Sequence, residues 1–380
     1  MGGTSATLSS MTIDPHAIDH TPWWAWAAPL AACGLLAARF AGAVPPTAMT
    51  AALLLAAVLL FAAVFAAVHH AEIIALRVGE PFGSIVLAIA VTVIEVALIV
   101  STMLAAGAKG EALARDTVYA AVMIVLNGVV GLCLVFGGAR HHEQRFQELG
   151  ASAALSVLGT LATIALILPN YTRAVPGPFY APAQLLGVGF VSLCLYAVFL
   201  FVQTIRHREY FIRRGTQDQA EGEADAKPSN RVTALSVVLL AVALGAVVLL
   251  AKTLSPSLER AVDAAGLPPA FVGVVIAALV LLPEGTAALR AARANQLQTS
   301  LNLALGSAVA SIGLTIPAVA VVSLLLDRPL TLGLPAEETV LLLLTLLIGT
   351  VTLATGRTTI LQGAVHLVIF AVFLLLSAMP

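Results

Sequence analysis

Runs of about twenty apolar residues alternate with short polar breaks along almost the whole chain. The runs fall at about 23–44, 47–68, 82–105, 117–137, 151–168, 182–204, 232–251, 270–290, 301–326, 337–355 and 360–378. Each can cross a hydrocarbon core as a helix, so the pattern predicts an all-α polytopic membrane protein with about eleven transmembrane helices. Trp23, Trp24 and Trp26 at the first edge suit an interfacial aromatic belt, and Pro45-Pro46 ends the first run. Residues 1–20 carry no lysine or arginine and so lack the basic start of a cleaved signal peptide. Glu80-Pro81 reads as a helix start, with proline in the first turn and an acid beside it.

One polar break is long. Residues 213–231, RRGTQDQAEGEADAKPSNR, read as a cytoplasmic linker with a short acidic helix. The chain therefore divides into a tail and first helix (1–45), five helices (46–205), a linker (206–231) and five more helices (232–380). An odd number of helices per half makes the halves enter from opposite sides, the arrangement of inverted-topology transporter repeats. A weak internal match agrees. Thr117 lies fourteen residues before Gly131-Leu132, and Thr299 fourteen before Gly313-Leu314. With the N-terminus inside, the inner loops hold Arg77, Arg140, Arg145, the basic residues from Arg206 to Arg231, Arg290, Arg293 and Arg357, against seven basic residues outside. This bias predicts a cytoplasmic N-terminus and linker and an external C-terminus, in a bacterial inner membrane.

Composition closes the soluble alternative. Hydrophobic residues make up 60% of the chain and charged residues 10%, with a mean hydropathy of +1.00; soluble domains carry about a quarter charged. The net charge of −1 offers nucleic acid no attraction, and membrane lipid is the expected surroundings. Cys33, Cys133 and Cys194 sit inside apolar runs as small hydrophobes, outside any zinc or disulfide pattern.

Within this apolar background two carboxylates stand out, Glu95 in the third run and Glu284 in the eighth. An acid at a helix centre costs roughly 2.5–3.5 kcal/mol on insertion scales, so two in matched places call for a function. Oxygen donors lie nearby. Thr92 is one turn before Glu95, Asn127 is mid-run in the next helix, and Asn302, Ser307, Ser311 and Thr315 recur at spacings of five, four and four, nearly one helical face. A hard cation wants such oxygens. Two neighbouring carboxylates repel when empty, and apolar surroundings disfavour their charged form. The pair is neutral with two protons and neutral again with one divalent ion, so either load crosses more easily than the empty site, and the expected process is cation/proton exchange. Pro283, Gly285, Gly306, Gly313 and Pro317 are expected to break the helices where carbonyls can face an ion.

The segment HHAEIIALRVGEPFGSIVLAIAVTVIEVALI resembles the first alpha-repeat of the cation/proton exchangers in the calcium/cation antiporter superfamily, and LLPEGTAALRAARANQLQTSLNLALGSAVASIGLTIP resembles the second. With RDTVYAAVMIVLNGVVGLCLVFGG, these stretches are most similar to the bacterial ChaA-type calcium/proton antiporters. The resemblance implies ten helices in two inverted halves plus an extra first helix, with a cation bound between the repeats and exchanged for protons; no organic cofactor is expected. It implies that Glu95 and Glu284 are the essential repeat acids, that Glu72 matches an acid before the first repeat, and that Asn302, Ser307 and Ser311 lie in the second repeat's polar stretch. Calcium/proton exchangers usually read G-N-x-x-E at both acids, whereas this chain has Val91-Thr92 and Val280-Leu281. Sodium or potassium exchange is therefore the alternative to calcium.

The histidine clusters suggest other roles. His69-His70 with Glu72, and His141-His142 with Glu143, fall on the expected cytoplasmic side. They would support a histidine-rich di-iron membrane enzyme, which needs about twice the eight histidines present. A milder reading makes His69, His70 and Glu72 a pH-sensing cytoplasmic entrance.

Overall fold

The computed structural model describes residues 21–79, 82–106, 110–211 and 227–379. The tail at 1–20, the Glu80-Pro81 helix start and linker residues 212–226, where the acidic helix was expected, lie outside the described residues. Among the described residues there are eleven long helices: α1 (Trp23–Phe40), α2 (Met49–Val78), α3 (Phe82–Ala106), α4 (Leu113–His141), α5 (Glu148–Tyr171), α6 (Pro182–Arg206), α7 (Asn230–Ala264), α8 (Phe271–Arg293), α9 (Leu297–Leu325), α10 (Ala336–Leu353) and α11 (Ile360–Ala378).

Ten of them, α2 to α11, are long and apolar enough to cross a bilayer. The exception is α1, an 18-residue helix that includes Pro29 and Arg39 and lies against α2 and α7. It stops at Phe40, short of the expected Val44, because Gly42 turns the backbone to φ 70°. The opposite difference appears in α2 and α7, which run 30 and 35 residues, well past the apolar runs at 47–68 and 232–251. Polarity at His69 and Lys252 ends the hydropathy but not the hydrogen-bond ladder. Each ladder gives way instead to a glycine of positive φ, Gly79 at 78° and Gly266 at 69°.

Four helices contain a stretch of wider π-turn: Ile124–Val129 in α4, Thr163–Ile167 in α5, Val202–Arg206 in α6 and Ser311–Thr315 in α9. Such turns shift the phase of every side chain beyond them and often mark working parts of a helix. The expected break at Pro283 is absent, since α8 runs unbroken from Phe271 to Arg293; the irregularity lies between Gly306 and Pro317 of α9.

Two apolar clusters organise the packing. One joins α4, α5, α6, α9, α10 and α11; the other joins α1, α2, α3 and α7. Helix α8 lies along the seam, giving Ala277 and Leu281 to the first cluster and Ile276 and Val280 to the second. Across this seam α3 meets the π-turn of α9, while α8 packs along α4 and α9. Glycine permits a close approach of α8 to α4: a β-carbon on Gly273 would sit 2.8 Å from the Thr117 backbone nitrogen. On the linker side, a two-residue strand pair, β1 (Gln144–Arg145) with β2 (Arg357–Thr358), ties the α4–α5 connection to the α10–α11 connection. The outer surface is apolar, with Leu54, Phe190, Leu347, Leu361 and Val368 exposed, as a lipid-facing bundle requires.

Candidate functional site

The seam between the clusters holds a cavity of about 200 Å³. Its walls come from α3, α4, α6, α8 and α9 and include Thr92, Glu95, Glu284, Asn302, Ser307 and Ser311. Both acids thus reach one hollow from separate halves of the chain. The lining runs from Glu95 and Ser311 deep in the bundle to Ser84, Gln203 and Asn302, near the ends of α3, α6 and α9 that face the linker side.

The two acids are held differently. Glu95 is 3% exposed; its Oε1 accepts from Ser311 Oγ at 2.5 Å and its Oε2 from Thr315 Oγ1 at 2.7 Å. Both donors belong to the α9 π-turn and, four residues apart, reach the same carboxylate from one face of the helix. Glu284 instead leaves Oε2 buried without a hydrogen-bond partner. Glu95 and Glu72 lie within electrostatic reach of it. A buried, unpaired carboxylate oxygen facing a second acid is costly unless a proton or cation joins it.

The other expected site residues separate into groups. Thr92 and Ser307 line the cavity beside the acids. Asn302 lies on the wall, but its amide is in use: Oδ1 accepts from Gln298 Nε2 at 2.9 Å and Nδ2 donates to the Phe211 carbonyl at 2.5 Å. Asn127, expected as a ligand, is not part of the wall. It is fully buried between α4, α10 and α11, where Nδ2 donates to Thr345 Oγ1 at 2.9 Å and Oδ1 faces His366 Nδ1 at 3.1 Å.

The expected entrance residues also lie apart from the cavity wall. His70 is buried among α1, α2 and α7, with Nε2 3.0 Å from the Ala25 carbonyl and Nδ1 3.3 Å from Ser236 Oγ, and the His69 ring lies 5.4 Å from that of Trp24. They clamp α1 onto the bundle. Glu72 is exposed on α2, within electrostatic reach of Arg290 and Glu284. His141 meets the Arg293 carbonyl at 3.0 Å. Among the described residues no three His, Cys, Asp or Glu side chains converge as a metal-binding group, so the two histidine clusters do not assemble a di-iron centre. Gln203 and Ser84 are wall residues that sequence reasoning missed; Gln203 sits in the α6 π-turn, at the polar end of its apolar run.

Comparison with known proteins agrees with this architecture. The family described as "Sodium/calcium exchanger protein" matches residues 48–205 and 235–379. The putative ionic transporter y4hA of Sinorhizobium fredii is 57% identical over 362 residues, covering 95% of this chain and 97% of that protein. The sodium-potassium/proton antiporter ChaA of Escherichia coli is 36% identical, covering 85% of this chain and 87% of that protein. The solved structure of native YfkE superposes with a TM-score of 0.69 at 18% identity, covering 94% of this chain and all of that one, and so shares the fold.

Proposed function

The chain belongs to the sodium/calcium exchanger protein family, as an integral membrane secondary transporter that exchanges cations for protons, and from that premise we propose that Glu95 and Glu284 carry both loads in turn. The observation behind this is the shared cavity, in which one acid is fully hydrogen-bonded and the other presents an unpaired buried oxygen. The two halves, 46–205 and 232–380, are taken as inverted repeats that expose this cavity alternately to the two sides. The N-terminus and linker face the cytoplasm and the C-terminus the outside.

Calcium is the first cation of choice. One divalent ion neutralises both carboxylates as two protons do, and Thr92, Ser307 and Ser311 add neutral oxygens. Export of calcium against inward proton flow then needs no cofactor beyond the ion gradients. A second reading, sodium or potassium exchange, is favoured by the engagement of both candidate amides, Asn127 and Asn302, with protein partners, and by the name of the relative ChaA.

A cation panel tests both readings. In inverted vesicles with an acidified lumen, calcium should collapse the proton gradient, and Glu95→Gln or Glu284→Gln should abolish the response. A response to sodium or potassium alone transfers the assignment to the second reading. Silence toward all three ions from inserted protein, or full activity in either variant, overturns the proposal.

A further inference from the structure

A second buried polar cluster lies outside the cavity, where α4, α10 and α11 meet. His366, Asn127, Thr345 and Thr352 are each no more than 3% exposed there. Their hydrogen bonds can be followed atom by atom. Thr345 Oγ1 donates to Met123 Sδ at 3.4 Å and accepts from Asn127 Nδ2 at 2.9 Å. Asn127 Oδ1 is then the acceptor left for His366, 3.1 Å away, so Nδ1 carries the ring proton. Nε2 accepts from the Thr352 hydroxyl at 3.1 Å. The arrangement is complete with a neutral imidazole and one tautomer.

What this cluster grips is the α4 π-turn, Ile124–Val129, which contains Asn127. The same turn packs against α8, and a β-carbon on Gly285, the residue after Glu284, would lie 3.3 Å from Val129 Cγ2. Close contact on the other side is equally specific. Gly128 faces the Phe370 ring and Gly131 faces His366 and Leu367, so α11 sits directly on the turn. A π-turn holds one residue more than an α-turn and can relax; an asparagine pinned at its centre prevents that.

We propose that His366 is a positioning residue for exchange: through Asn127 it holds the α4 π-turn in the form that backs Glu284, and so sets the geometry of the cation site without touching the ion. The proposal rests on the exchange reading above. Its consequence resembles that of outer-shell partners at metal sites, whose loss costs roughly 10–100-fold in affinity.

The bond that matters is the one from Nδ1, which isosteric replacements can isolate. His366→Asn places an amide N–H near the Nδ1 position, His366→Gln places one near Nε2, and His366→Leu keeps neither. Half-saturating calcium, with sodium as a parallel series, is read from collapse of the vesicle proton gradient and from the cation-induced rise of the unfolding midpoint in detergent. The expected result is a half-saturating concentration within about twofold of the native chain for His366→Asn, and roughly tenfold higher for His366→Gln and His366→Leu, with maximal rate preserved. Equal half-saturation in all four proteins overturns the proposal, as does rescue by Gln but not Asn. If His366→Leu does not fold, the Asn and Gln pair decides, and equal loss of folded protein in those two makes His366 a packing residue only. The native chain's own trace reports on the exchange reading, whereas the ratios between variants report on His366.

Discussion

Glu95 and Glu284 face one cavity with unequal support. Glu95 receives hydroxyl protons on both oxygens, from Ser311 and Thr315, which fixes its rotamer. Glu284 keeps a free buried oxygen. In the proposed exchange the first is thus a preset arm of the site and the second the arm completed by its load. Hydrogen bonds to a charged group contribute about 1.5–3 kcal/mol, and about 1.4 kcal/mol is a factor of ten in affinity. Ser311→Ala and Thr315→Val should therefore each raise the half-saturating cation concentration about tenfold or more while exchange survives. Transport titrations in vesicles check this, and an unchanged value in both variants would show that the hydroxyls do not set the carboxylate.

Helices carry these residues into register through two devices, glycine contacts and π-turns. Gly273 lets α8 lie against the α4 backbone at Asp116 and Thr117, where a β-carbon would come within 3.0 Å of three atoms. Neither backbone can give way as a side chain would. Gly273→Ala should lower stability by about 1–3 kcal/mol through overpacking. Gly34→Ala in α1 meets nothing within 4 Å and should leave stability unchanged or slightly raised, since alanine suits a helix better. Unfolding midpoints of the two variants in detergent decide it, and equal midpoints would mean that α8 and α4 are not held this closely. The α9 π-turn acts differently, turning Ser311 and Thr315 together toward α3.

At the scale of the whole molecule, the cavity lies on a seam between two apolar clusters, a place where relative movement disrupts the fewest contacts within each. Movement across that seam is what the proposed alternating exposure requires. The proposed orientation makes a simple prediction. After replacement of Cys33, Cys133 and Cys194, a cysteine at Met379 should react with an impermeant maleimide on intact cells, and one at Asp218 in the linker only after permeabilisation. The reverse pattern would invert the topology while leaving the cavity intact.

Much of this was legible in one dimension. Crossing a bilayer imposes a minimum apolar length on each segment whatever its neighbours do, so eleven apolar runs are legible from hydropathy alone, and all but the first form helices long and apolar enough to span. Acids are so costly in lipid that Glu95 and Glu284 stand out as candidates without a structure, spacing adds Thr92, Ser307 and Ser311, and all five line the one cavity. Helix ends were read less well, because α2 and α7 outrun their apolar stretches until glycine turns the backbone. Asn127, expected as a ligand from its mid-run position, and His69 and His70, expected at a pH-sensing entrance, hold helices together. Gln203, in contrast, reaches the cavity unannounced. Which way a polar side chain points depends on π-turn phase shifts and on the partner helix, and both are set only when distant segments pack. Sequence by itself determined the membrane class and the run of apolar helices, and singled out the two acids as candidates. Tertiary packing alone decided that the acids share a hollow, which hydroxyls hold Glu95, and that Asn127 faces His366 instead of the cavity.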